Sequence, residues 1–275
     1  MSRYHEIDLN KISTYSIKDR PSKVRVSALA KKYQLGSSIK HFISSLPDIL
    51  IAADLKQLIK DIGSAYKTDK QIIFMMGAHV IKCGLNPLLI QLMENGIIKS
   101  LALNGAGVIH DTEMAFWGTT SEDVEAALAD GSFGMVKETP HHIFSAAKKG
   151  QSEESGFGEA VGKYILESDA EFKEISLLAQ AYRLEIPVTV HVAIGTDIIH
   201  QHPTMDGAMI GELSFRDFKI FAHQVSLLDK GAIVLNVGSA VLMPEVFLKA
   251  LTIARNLGYP AHGFITANFD HFQLR

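Results

Sequence analysis

Five short apolar runs, each closing on glycine or small polar residues, limit the folds open to this chain more than any other feature. Gln71-Ile72-Ile73-Phe74-Met75-Met76 ends at Gly77, and Lys99-Ser100-Leu101-Ala102-Leu103 ends at Asn104-Gly105-Ala106-Gly107. Similar runs lie at Ile186–Val192, Ala232–Leu235 and His262–Thr266. Helical spacing fills the intervals, over about Pro47–Tyr66, Leu85–Asn95, Phe172–Arg183, Ser214–Lys230 and Met243–Leu257. Strands that are apolar on both faces and separated by helices predict a mostly parallel sheet covered on both sides. The expected fold class is α/β, doubly wound and Rossmann-like.

The rest of the chain sets the frame. Residues 1–45 read as an irregular arm with a turn at Asp19-Arg20-Pro21-Ser22-Lys23, and residues 46–275 as one α/β domain. A glycine-punctuated stretch at about 118–168 reads as a helical insertion and a candidate ligand lid. The balance of 27 basic against 30 acidic side chains, a net −3, gives no reason to expect nucleic acid or a membrane surface as a partner. A single cysteine, Cys83, excludes an intramolecular disulfide and reads as a small buried residue. Met1 to Arg20 mixes charges without an apolar signal core, and no apolar run is long enough to cross a bilayer, so a cytoplasmic protein is expected.

In an open parallel sheet, ligands bind beyond the carboxyl ends of the strands, so chemistry is sought there. The strand ends read Gly77-Ala78-His79, Asn104-Gly105-Ala106-Gly107, His191 with Gly195-Thr196-Asp197, Asn236-Val237-Gly238-Ser239 and Thr266-Ala267-Asn268-Phe269-Asp270. Glycines and helix N-termini at five such ends suit a nucleotide-sized ligand. His191, Asp197, His200, His202 and Asp206 form a histidine–carboxylate run. It reads three ways: a divalent metal site, an acid–base centre or a polar pocket wall. His110, Asp111 and Glu113 open a helix, either as cap and dipole partners or as groups holding a ribose or an amine. Lys82, shortly after a strand end, reads as a surface residue, a phosphate contact or an amine nucleophile. Trp117 reads as core or lid packing.

A family resemblance rests on an ordered set of motifs. Gly77-Ala78-His79-Val80-Ile81-Lys82-Cys83-Gly84 and Leu103-Asn104-Gly105-Ala106-Gly107-Val108-Ile109-His110-Asp111 resemble the paired N-terminal motifs of deoxyhypusine synthase. Ile186-Pro187-Val188, Pro203-Thr204-Met205-Asp206-Gly207, the stretch Gly231–Gly238 and Ile265–Asp270 resemble its later segments in the same order. The early pair is also similar to the NAD-binding domain of archaeal-type ornithine cyclodeaminases, and the whole set to a bacterial branch of deoxyhypusine-synthase-like proteins. The resemblance covers about residues 70–270. It implies NAD across the strand ends, contacted by Ala78, His79, Asn104, Gly105, Ala106, Asp206, Gly238, Thr266, Asn268 and Asp270, and a homotetramer with sites at subunit contacts. Two departures argue against deoxyhypusine synthesis itself. The stretch Gly238–Glu245 lacks the imine-forming lysine of that family, and extra residues including His191, Asp197 and His200 separate Val188 from Pro203. The chain ends at Arg275, where those relatives continue with a short tail.

The expected function is therefore an NAD-dependent enzyme acting on a small amine or amino acid through hydride abstraction and an imine. His191, His200 or His202 with Asp197 would supply the base, Glu113 and Asp111 would hold the ammonium, and Lys82 is a candidate for covalent participation. A metal-dependent hydrolase built on His191, Asp197, His200 and His202 is the alternative from another class, and a non-catalytic NAD-binding protein is the third.

Overall fold

A computed structural model describes residues 3–270; the expectation attached to Arg275 lies outside them. The chain divides into two compact units, residues 1–60 and 61–275. In the first unit, 3₁₀ turns at Leu9–Lys11, Ile17–Asp19 and Val26–Ala28 bury none of their residues, and helix α1 (Ile39–Ser45) follows. Helix α2 (Leu50–Lys67) runs through the division.

Among its described residues the second unit holds one five-stranded sheet. Its strands are β1 (Ile72–Met76), β2 (Ser100–Asn104), β3 (Val188–His191), β4 (Ile233–Val237) and β5 (Ile265–Phe269). Every neighbouring pair is parallel and the spatial order is β3-β2-β1-β4-β5. The expected α/β doubly wound fold is what forms. Helices α3 (His79–Lys82) and α4 (Asn86–Glu94) join β1 to β2, and α5 (Gly105–Trp117) leaves β2. Then come α6 (Val124–Asp130), α7 (Glu138–Ser152), α8 (Phe157–Glu167) and α9 (Leu177–Arg183) before β3. Helix α10 (Gly207–Ser226) joins β3 to β4, and α11 (Leu242–Asn256) joins β4 to β5.

Side-chain alternation along the strands builds two apolar layers. Phe74, Met76, Leu101, Leu103, Val188 and Val190 face one way, onto Ile109, Phe157, Val161, Leu177 and Leu178. Ile73, Met75, Ala102 and Val234 face the other way, onto Phe221, Val225, Met243 and Phe247. The outer edge of β3 is closed by side chains of α10. Ser214 Oγ donates to the Val190 carbonyl and accepts from Val192 N–H, and Asp217 Oδ2 accepts from Val190 N–H at 2.7 Å. The same oxygen accepts from Gly158 N–H at 2.9 Å in the first turn of α8, so one carboxyl ties three elements and covers a sheet edge.

Several expected boundaries move. The last strand is Ile265–Phe269 and not His262–Thr266, so Thr266 and Asn268 lie inside it rather than after it. Its burial is broken because it is the edge strand, so it lacks the continuous apolar run that marks the others. Asn236 and Val237 likewise belong to β4. The helix expected over Ser214–Lys230 begins at Gly207, where Asp206 accepts from Ala208 and Met209 N–H as its N-cap. Cys83, expected to be buried, is exposed. Among the described residues no helix is long and apolar enough to cross a membrane.

Candidate functional site

Beyond the carboxyl end of β2 lies a cavity of about 690 Å³, within the range of small-molecule sites. Its floor is α5, through Ala106, Ile109, His110, Glu113 and Trp117. Lys82 of α3 and Thr196, Asp197 and Ile198 from the segment after β3 form further walls. The roof comes from residues 119–139, including Thr120, Glu122, Phe133, Val136, Glu138 and Thr139.

Two carboxylates are placed by different means. Glu113 Oε2 accepts from Thr120 Oγ1 at 2.5 Å and its Oε1 from Thr139 Oγ1 at 3.0 Å. His110 Nδ1 lies 2.6 Å from the same Thr120 hydroxyl, so histidine, threonine and glutamate form a chain along the cavity wall. Burial, reinforced by the neighbouring Lys82 and His79, lowers the His110 pKa to about 4 and keeps the ring neutral. Asp197, by contrast, sits over the N-terminus of α5. Its Oδ2 occupies the place where a β-carbon on Gly105 would stand, 2.0 Å from the ideal position, so any side chain there would displace the Asp197 carboxyl. Burial raises the Asp197 pKa to about 6, against the hydrogen bonds from Thr196 and from the Ala106 backbone. The protein's own carboxyl thus fills the seat where that helix N-terminus would receive a phosphate.

His200 is held beside it. Its Nδ1 accepts from Gly195 and Asp197 N–H, both at 3.1 Å, which puts the proton on Nε2. That Nε2 lies 3.8 Å from Asp197 Oδ2, and both atoms are buried without a hydrogen-bond partner.

The structure brings Lys82, Ala106, Glu113 and Asp197 to this cavity and sends other expected residues elsewhere. His191 ends β3 on the face toward α10, because strand alternation pairs it with Thr189. Its Nε2 is 3.1 Å from Thr189 Oγ1 and its ring packs edge-on against Phe221. Burial lowers its pKa to about 3. His202 bonds Thr204, Asp206 caps α10 and Asn104 caps α5 by accepting from Gly107 N–H. The metal-site reading of His191, Asp197, His200 and His202 is therefore corrected. Only Asp197 and His200 approach one another, and among the described residues no group of three or more histidine, cysteine, aspartate or glutamate side chains is arranged to hold a metal ion. Asp111, taken as a cap of its own helix or an ammonium ligand, is fully buried. It accepts from Ser176 Oγ and from Leu177 and Leu178 N–H, closing the N-terminus of α9.

A second polar group lies at the neighbouring ends of β1, β4 and β5. The order of strands reverses between β1 and β4, which makes this the topological switch point. Gly77 and Gly238 approach so closely that the Gly238 carbonyl fills the position of a Gly77 β-carbon. Asn236 Nδ2 donates to Asn268 Oδ1 at 2.6 Å and to the Ser239 carbonyl at 2.8 Å, leaving its buried Oδ1 without a partner. Ala78 and His79, expected cofactor contacts, follow β1 at this point, and Thr266 is an exposed residue of β5.

The neutral histidine inside the sheet gives a stability prediction. A group whose pKa falls on folding contributes stability that is present above its unfolded pKa of about 6.5 and is lost as pH falls toward about 3. His191→Phe, which keeps the contact with Phe221, is expected to weaken the loss of stability on acidification between those limits. Urea unfolding across that window checks it, and an unchanged pH dependence would remove His191 from the account.

No protein-family model and no curated protein matches the sequence. Solved structures do. ArgZ, an arginine dihydrolase from the ornithine–ammonia cycle in cyanobacteria, aligns at 16% identity over 80% of this chain with a TM-score of 0.50. The chain spans 30% of ArgZ. A protein from Entamoeba histolytica assigned as a deoxyhypusine synthase aligns at 12% identity and a TM-score of 0.50, over 76% of this chain and 79% of its own. At these identities the likeness is one of fold: this chain shares the α/β fold of a deoxyhypusine-synthase-like protein.

Proposed function

We propose that this chain is an NAD-dependent enzyme that processes a small amino acid or amine bound in the cavity beside α5. The observation that carries the reading is the mixed charge of the cavity wall: Lys82 on one part, and Glu113, Glu122 and Glu138 on others. A zwitterion meets both needs. Lys82 attracts its carboxylate, the glutamates attract its ammonium, and the apolar faces of Ile109, Phe133 and Val136 shield the carbon between them from water. Glu113 thus keeps its expected role toward the ammonium and Lys82 binds a carboxylate instead of taking part covalently, whereas His191 and His202 have no role in this reading.

The residues at the switch point fit a dinucleotide better than the turn at Gly105. At α5 the anion seat is filled by Asp197. At the ends of β1 and β4, the unpartnered Asn236 Oδ1 is an acceptor awaiting a donor. Ala78, His79, Asn236 and Gly238 would hold NAD there, with Asn268 and Asp270 on the β5 side. When bound, NAD supplies a hydride acceptor for the carbon that bears the nitrogen. Self-association belongs to the same proposal. Ile7, Ile12, Ile17 and Val26 are 85%, 62%, 70% and 86% exposed in the first unit, apolar surface that a second copy can cover.

Thermal unfolding of the full chain with NAD and NADP tests the reading. A dinucleotide at 100 times its dissociation constant is expected to add ~2.7 kcal/mol, and to raise the midpoint accordingly. Absence of a shift with either dinucleotide would overturn NAD dependence.

A further inference from the structure

We propose that His110 is the general base of this cavity, and that Thr120 and Glu113 are the residues that position it. The inference rests on the reading of the cavity as a substrate site, and names the group that takes the substrate's proton.

Glu113 as a carboxylate has only acceptor oxygens, so the 2.5 Å contact to Thr120 uses the single proton of the threonine hydroxyl. Toward His110, 2.6 Å away, that hydroxyl has only lone pairs left. His110 must therefore carry its proton on Nδ1, and Nε2 is the bare nitrogen. The direct separation of Nδ1 from Glu113 Oε2 is 4.0 Å, too long for a hydrogen bond, so Thr120 is the necessary link. When Nε2 takes a proton from the substrate, Nδ1–H stays on Thr120, the threonine proton stays on Glu113, and the glutamate charge stabilises the imidazolium. No other group changes its proton.

The link also belongs to the roof. Thr120 and Thr139 stand on either side of α6, and both donate to the one carboxylate of Glu113. Across the cavity, Gln201 Nε2 donates to the Phe133 carbonyl at 2.8 Å. Helix α6 itself buries no residue, so it is held by these polar contacts more than by apolar packing. Placing the roof and fixing the His110 tautomer are thus one event.

Nitrogen NMR of the full chain with labelled histidine reads the tautomer without any substrate. The wild type is expected to show His110 as the Nδ1–H form. Thr120→Val, which keeps the shape and removes the hydroxyl, is expected to give a mixture of tautomers, and Thr120→Ser to restore the single form. Amide hydrogen exchange over residues 124–130 is expected to quicken about 10-fold in Thr120→Val, the size of one lost hydrogen bond. Glu113→Gln, a second variant should the first fold poorly, is expected to loosen both tautomer and exchange. An Nε2–H form in the wild type, or an unchanged Nδ1–H form in both Thr120→Val and Glu113→Gln, would overturn the proposal. Failure of the dinucleotide shift with these tautomers as expected would sink the NAD reading alone.

Discussion

Asp217→Ala is expected to lower stability by about 3–5 kcal/mol. The carboxyl is fully buried and accepts from two backbone N–H groups, Gly158 at the start of α8 and Val190 on the edge of β3. Removing it leaves both donors unpaired in a dry interior, at about 1–3 kcal/mol each, and opens a void between three elements. Asn is the informative companion, since its amide oxygen accepts both bonds. Burial raises the Asp217 pKa to about 8, so this group contributes stability that is fully present below the unfolded value of 3.8 and lost as pH rises toward 8. Asp217→Asn is therefore expected to gain on the wild type as pH rises from about 5 to about 8. Denaturant midpoints at the two pH values check both statements. An alanine variant within about 1 kcal/mol of wild type would show that the edge of β3 is held by other contacts.

The chemistry rests on a different residue. His110→Gln, which keeps a polar side chain beside Thr120 and removes a titratable nitrogen, is expected to lower kcat by about 10²–10⁴-fold. KM is expected to change little, because the charges that attract a zwitterion, Lys82 and the cavity glutamates, remain in place. With the His110 pKa lowered to about 4 by burial and by Lys82 and His79, the ring is in its proton-accepting form through neutral pH. Activity governed by His110 should then fall only as pH approaches about 4 in the free protein. A loss carried by KM instead of kcat would make His110 a binding residue.

Much of the fold was legible because its signal is local. Ile72–Met76 and Ser100–Asn104 are apolar on both faces, as strands covered by helices must be, and they formed where the runs stood. The edge strand Ile265–Phe269 was misplaced because Thr266 and Asn268 face solvent and break the run. The candidate site was legible only as a region. Glu113, Lys82 and Asp197 could be found from their places after strands, but His191 sits at a strand end and points to the wrong face, which alternation decides over a single residue. His110 was noticed, as a cap and dipole partner or as a group holding a ribose or an amine, but its link to Glu113 runs through Thr120, ten residues on and past the end of α5. Thr120 and Thr139 lie in a helical insertion whose return over α5 no local pattern announces. Asp111 shows the same limit, since the helix it caps begins 66 residues later, at Leu177.

Single-turnover reduction of NAD, followed by absorbance with the common L-amino acids and short diamines, reads NAD-dependent amine chemistry and the part of His110 in it together. The wild type is expected to reduce bound NAD with at least one of them, and His110→Gln to do so about 10²–10⁴-fold more slowly at saturating substrate. Reduction at the same rate in both proteins, or none with any amine although NAD binds, would contradict it.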